Sequence, residues 1–222
     1  MPHTYFTAVW RETINKRWLV IAVIISYVMM LFGGAALKPD YSHIGQFISE
    51  LNATGTAYAG IVSWFGFFLF GVLASLLLFV TADKAPVRGI SRIGYWLLIA
   101  EPVAYMGSAF SPCDIGCPVD GGMSQLMHNA LAVVTFISTS LGLFLLSFTP
   151  KISVLQRVFW VVLSCLWQIL FVLMLDEAML EIRGLLQRLG ECVVYSVLCI
   201  SAWRLLDNNK ELPNIFNTNF RP

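Results

Sequence analysis

Residues 58–80 read YAGIVSWFGFFLFGVLASLLLFV, with no charged side chain anywhere in the run. A bilayer core about 30 Å thick needs roughly 20 helical residues per crossing, so this stretch is long enough to span it. Outward from it the same reading repeats at approximately 18–37, 90–110, 127–148, 159–175 and 185–206. Composition agrees: 58% hydrophobic and 12% charged residues, with a mean hydropathy of +0.74, exceed what a soluble domain of 222 residues carries. The expected fold is all-α, a polytopic membrane protein with six transmembrane helices in one bundle. That single domain covers 1–206, outer-face loops form a cap, and a short cytoplasmic tail covers 207–222. The first segment exceeds the roughly 7–15 apolar residues of a signal-peptide core and is read as a span.

Orientation follows from Lys and Arg beside the segment ends, which are retained on the cytoplasmic side. Arg11, Lys16, Arg17, Lys84, Arg88, Arg92, Lys151, Arg157, Arg204, Lys210 and Arg221 fall on one face, against Lys38, Arg183 and Arg188 on the other. Both termini are therefore expected in the cytoplasm and the protein in the plasma membrane, the inner membrane of a bacterium. The net charge of +1 gives no reason to expect nucleic acid as a partner. Membrane lipids are the expected partner. The small residues Gly60, Gly66, Gly71 and Ala74 of helix two suit close helix packing, within the bundle or in a homo-oligomer.

Function is expected where polar groups sit in hydrocarbon. A charge near the bilayer centre costs roughly 2.5 kcal/mol or more, so such a residue faces protein or a water-filled cavity. Glu101 lies nine positions before Phe110, roughly 14 Å deep at the helical rise, and Glu191 roughly 9 Å deep. His128 and Asn129 open helix four. Arg188, three residues before Glu191, has the spacing for an intrahelical ion pair. The structural alternative is that this pair only holds helix six in register and that Glu101 answers a carbonyl freed by Pro102. Ser164 and Gln168 suit helix-to-helix hydrogen bonding. Cys165, Cys192 and Cys199 read as small buried hydrophobes.

The loops supply the other candidates. Residues 112–118, PCDIGCP, place Cys113 and Cys117 four apart, and on an oxidising face the default for such a pair is a disulfide. The alternative is a metal centre, zinc held by the thiolates with His128 and Asp114. In the first outer loop, Phe47, Ile48 and Leu51 recur at helical spacing, so a short helix is expected on the membrane surface, ended near Gly55. That loop is either an interfacial or re-entrant cap or a lid presenting His43, Ser49, Glu50 and Asn52 to a ligand.

Taken together, ISELNATGTAYAG from Ile48, CDIGCP from Cys113, HNALA from His128 ahead of Phe136, and the Gly184-to-Glu191 stretch with Gln187 and Arg188 carry a resemblance. The chain resembles the prokaryotic six-helix membrane family known as domain of unknown function 998, over nearly its whole length. It is distantly similar to the eukaryotic FRAG/DRAM/Sfk group, which shares an Ile-Ser-acidic first loop with Thr-Gly and a histidine in helix four. That group includes a factor in lipid-anchor remodelling and regulators of autophagy and membrane lipid distribution. The resemblance implies a fold and a lipid-related setting, and no mechanism.

Three functions compete for these residues. The first is binding or handling of a lipid or lipid-like ligand in a polar outer-leaflet cavity, with Arg188 placed for a head-group phosphate. The second is an intramembrane enzyme, a metal-dependent hydrolase or transferase acting on lipids at the outer leaflet, with His128 as base or metal ligand and Glu191 or Glu101 as acid. The third is a haem or metal protein using His43 and His128. No Gly-x-Ser-x-Gly or His-Glu-x-x-His string occurs, which favours binding without closing the question of catalysis. No cofactor is expected, zinc being the alternative. The ligand-binding candidates are His43, Glu50, Asn52, Glu101, Asp114, His128, Asn129, Arg188 and Glu191.

Overall fold

The computed structural model describes residues 3–207, with side chains from Lys16 onward. The expected tail therefore lies, from residue 208, outside the described residues, as do the side chains of Arg11, Lys210 and Arg221. Among the described residues the chain is helical, without strands. Five helices are long and apolar enough to cross a membrane: α1 (Lys16–Ala36), α2 (Ala59–Ala82), α5 (Met123–Leu146), α6 (Val154–Met174) and α7 (Arg183–Leu205). Each satisfies its backbone internally, as a segment in hydrocarbon must. Large apolar side chains such as Phe65, Val162 and Ile169 are exposed on their outward faces.

The remaining expected span is broken in two, α3 (Ile90–Leu97) and α4 (Ala100–Phe110). Pro102 has no N–H for the carbonyl of Leu98, which accepts instead from Glu101 N at 3.3 Å, a tighter turn that bends the path. The break, at Leu98 and Ile99, lies one residue short of Glu101. Helix order follows a ring: α1 packs on α2, α2 on α4, α3 and α4 on α5, α5 on α6, α6 on α7, and α7 returns to α1. At the α3–α5 crossing, a Cβ on Gly94 would lie 2.7 Å from Gly142 O, so only glycine permits that approach. Ser164 serves as interhelical glue, donating to Ser140 O at 2.7 Å and joining α6 to α5.

Of the three remaining cysteines, only Cys199 is buried as expected. Cys165 and Cys192 are exposed, because their positions fall on the outward faces of α6 and α7 rather than toward the ring interior.

The short helix of the first loop, a 3-10 turn over Ile48–Asn52, is not on a surface. Ile48, Leu51 and Asn52 are at most 1% exposed, so the loop plugs one end of the ring. Leu51 wedges between α1 and α2, against Val62 and the place where a Cβ on Gly34 would sit. Both helices widen there into π turns, Met29–Gly33 and Val62–Phe68, as a helix does to accommodate an inserted group. Asn52 Nδ2 donates to Ser63 Oγ at 3.0 Å and Ser108 O at 2.8 Å. Those bonds make burial of a non-α segment tolerable.

Candidate functional site

Beneath this plug, at the end of the ring that carries Cys113 and Cys117, lies a cavity of about 270 Å³. Phe47, Ile48 and Ser49 form its roof, and α4, α5 and α7 contribute Glu101, His128, Asn129 and Glu191 to its wall. Four of the nine sequence candidates are thus brought together. Apolar surface completes it: Leu131, Phe136, Phe171 and Met174. The exposed residues Val119, Val133 and Leu175 also line it, which places its opening between the first half of α5 and the end of α6.

The carboxyls of Glu101 and Glu191 lie within hydrogen-bonding reach of each other. Thr139 Oγ1 donates to Glu101 Oε1 at 3.4 Å from α5. Glu191 Oε2 is buried with no hydrogen bond of good geometry, as is the Tyr105 hydroxyl in the same wall. His128 Nδ1 lies 3.0 Å from Ser111 O. A carbonyl only accepts, so Nδ1 carries a proton and a neutral ring presents Nε2 as an acceptor.

The other five candidates do not line this cavity. His43 packs its ring on Phe32 and Tyr41, with centroids 5.4 and 5.3 Å away. Burial, then the charge of Arg188, holds its imidazole below the ordinary value. Asp114 uses its backbone N–H on Gln125 Oε1 at 2.6 Å. Asn52 is the pin already described, and Glu50 belongs to a clamp on the loop.

That clamp is built by the first turns of α7. Arg183 Nη2 pairs with Glu50 Oε1 at 3.2 Å, while the guanidinium lies over the Phe47 ring at 4.4 Å. Gln187 Oε1 accepts from Ile48 N at 2.7 Å. Arg188 does not form the expected intrahelical pair with Glu191. Its guanidinium donates to Gln46 O at 2.9 Å, to Gly184 O at 2.8 Å and to the Tyr41 hydroxyl. Carbonyls of a loop without regular structure need donors, and a guanidinium one helical turn away supplies them. Burial pushes the Tyr41 phenol up to about 12 against the opposing pull of Arg188, so it remains an un-ionised partner at neutral pH. Gly184 is required at the contact, since a Cβ there would fall 2.1 Å from Gln46 O.

Cys113 and Cys117 stand at disulfide distance beside the roof. Their sulfurs and a ring nitrogen of His128 lie within 4.8 Å of one another, a geometry suited to a metal only when the sulfurs are thiolates. Asp114 is not part of that group. The Cys113 carbonyl accepts from Thr54 N at 2.8 Å, tying this loop to the first. Reduction is expected to cost about 2 kcal/mol, the loop-closure value for so small a ring. Melting of the purified protein with and without dithiothreitol reads this, and identical curves would mean that the loop contacts alone hold residues 113–117.

Sequence reasoning missed Gln187 as a clamp residue and the buried tyrosines Tyr27, Tyr105 and Tyr195. Their rings gather around Phe70 at centroid distances of 5.0, 4.7 and 4.9 Å. A signal existed: tyrosine is enriched at membrane interfaces, and these three fall well inside apolar runs.

No curated protein and no solved structure matches the chain. A family model does, over residues 20–204, its description being a protein of unknown function, DUF998. With the match running from the first spanning helix to the end of the last, the chain belongs to the DUF998 family of membrane proteins.

Proposed function

We propose that this protein binds or handles a lipid or lipid-like amphiphile in the cavity beneath the first loop. The observation that carries the reading is the shape of that cavity's chemistry: a polar floor at Glu101 and Glu191, apolar walls, and an opening rimmed by exposed apolar residues. An amphiphile has the same two-part character, and cavities between helices of a bundle are common ligand sites. In this reading α3 and α4 together make the sixth crossing. The charge segregation puts both termini in the cytoplasm of a cell with the disulfide on the far, oxidising side. The plugged end then lies at the outer leaflet and the loops act as a cap.

Catalysis is the less supported reading. A hydrolase or transferase would need a nucleophile beside His128. Ser49, the roof hydroxyl, is directed to Cys117 Sγ at 3.2 Å.

The test is cavity filling. Ala132→Phe places a ring in the cavity from the face of α5 and is expected to strip co-purifying lipid from the protein while leaving its monodispersity unchanged. Native mass spectrometry from a mild neutral detergent reports the lipid bound per chain. Equal retention by wild type and variant would count against the cavity as the binding site.

A further inference from the structure

We infer that the head group held by this cavity is a cation, specifically the ammonium of an alkylamine-type amphiphile, seated at the Glu101 and Glu191 carboxyls. The inference rests on the amphiphile reading above and adds the sign of the ligand's charge. Glu101 and Glu191 are the carboxyls of the cavity wall, and among the described residues no Lys or Arg lines it. Arg188, the residue that an anionic head group would need, does not line the cavity; its Nη1 and Nη2 are engaged by Gln46 O, Gly184 O and the Tyr41 hydroxyl, while Nε has no partner.

Two further groups point the same way. Glu191 Oε2, in a residue only 5% exposed, makes no hydrogen bond of good geometry although it borders the cavity, with Glu101 and the Tyr105 hydroxyl nearby. A buried carboxylate oxygen without a donor is costly, and an ammonium supplies both the donor and the counter-charge. The Tyr105 hydroxyl beside it, in a residue 6% exposed, likewise makes no hydrogen bond of good geometry. Phe67 and Tyr105 add aromatic rings to the wall, and Phe171 with Met174 leaves an apolar course for the chain.

The experiment compares dodecylamine, dodecanol and dodecanoate at equal chain length. Each is added to the full-length protein in a neutral maltoside detergent, and native mass spectrometry reads retention. The amine is expected at one per chain, with the alcohol and the carboxylate weaker by about tenfold or more, the scale set by losing one charge-assisted contact. The double variant Glu101→Gln/Glu191→Gln should lose the amine's advantage. If it does not fold, the single variants and the wild-type series still decide the question.

Equal retention of all three amphiphiles by wild type, lost on Ala132→Phe, would overturn the cationic assignment and leave the cavity reading standing. Retention of none would sink both. Stabilisation by sodium chloride over choline chloride with no amphiphile added, abolished in the Gln variants, would assign the carboxyls to an inorganic cation and overturn the ammonium.

Discussion

Gly71→Ala is expected to destabilise the protein by about 3 kcal/mol, near the upper range for overpacking, while Gly60→Ala leaves it unchanged. Both glycines lie on α2 and both belong to the small-residue stripe visible in the sequence. Their surroundings differ completely. A Cβ on Gly71 would sit 2.5 Å from Pro102 O, 2.6 Å from Met106 Cγ and 3.0 Å from Met106 N, whereas Gly60 has nothing within 4 Å. Two of the three obstacles at Gly71 are backbone atoms of α4, which cannot rotate away as a side chain end can. The α2–α4 contact must open, and with it the turn at Pro102 that sets the position of Glu101. Thermal melts in detergent, read by aggregation onset, compare the two variants directly. Equal melting would mean that the close approach of α2 and α4 is not what holds this side of the ring together.

The same pair of glycines shows what a sequence can and cannot disclose about this fold. A stripe of small residues announces that something comes close, but only the three-dimensional path of α4 says that it is Pro102 at Gly71 and lipid-facing space at Gly60. The five long helices were legible because a bilayer imposes a length and an apolarity that act residue by residue, without reference to partners. The split of the remaining span was written in Pro102, yet proline is tolerated inside membrane helices, so its presence alone does not tell a bend from a break. The Arg188–Glu191 pair had the right spacing along one helix. It failed because a loop carbonyl, Gln46 O, and a loop hydroxyl, that of Tyr41, compete for the same guanidinium, and they lie 142 and 147 positions earlier in the chain. Glu101, His128, Asn129 and Glu191 were legible as candidates because charge and amide groups in hydrocarbon stand out singly. That they share one cavity follows from ring topology, which no periodicity encodes.

Glu50→Ala is expected to cost about 3–5 kcal/mol, the range for removing one partner of a buried ion pair, and Arg183→Ala, which strands the more deeply buried charge, to cost at least as much. The asymmetry comes from burial. The Glu50 side chain is 4% exposed and Arg183 18%, so an Arg183 stripped of its partner recovers water more readily than a stripped Glu50. Loss of Glu50 also removes two other bonds, from Gln46 Nε2 and from Phe47 N, each at 3.0 Å. It leaves the Arg183 contacts with Gly45 O and Gly116 O, both at 3.2 Å, without the charge that orients the guanidinium. Because Glu50 fixes the turn that contributes Phe47, Ile48 and Ser49 to the cavity roof, its loss is expected to weaken amphiphile retention as well as stability. Glu50→Gln separates the two contributions: its carbonyl can still accept from Phe47 N, so local turn geometry survives while the ion pair does not. Melting and native mass spectrometry on the three variants give the ordering. A Glu50→Ala protein that melts with wild type would show that Arg188, Gln187 and Asn52 hold the plug without it. A Glu50→Gln protein with wild-type stability but reduced retention would place the role of the ion pair in closing the roof rather than in folding the loop.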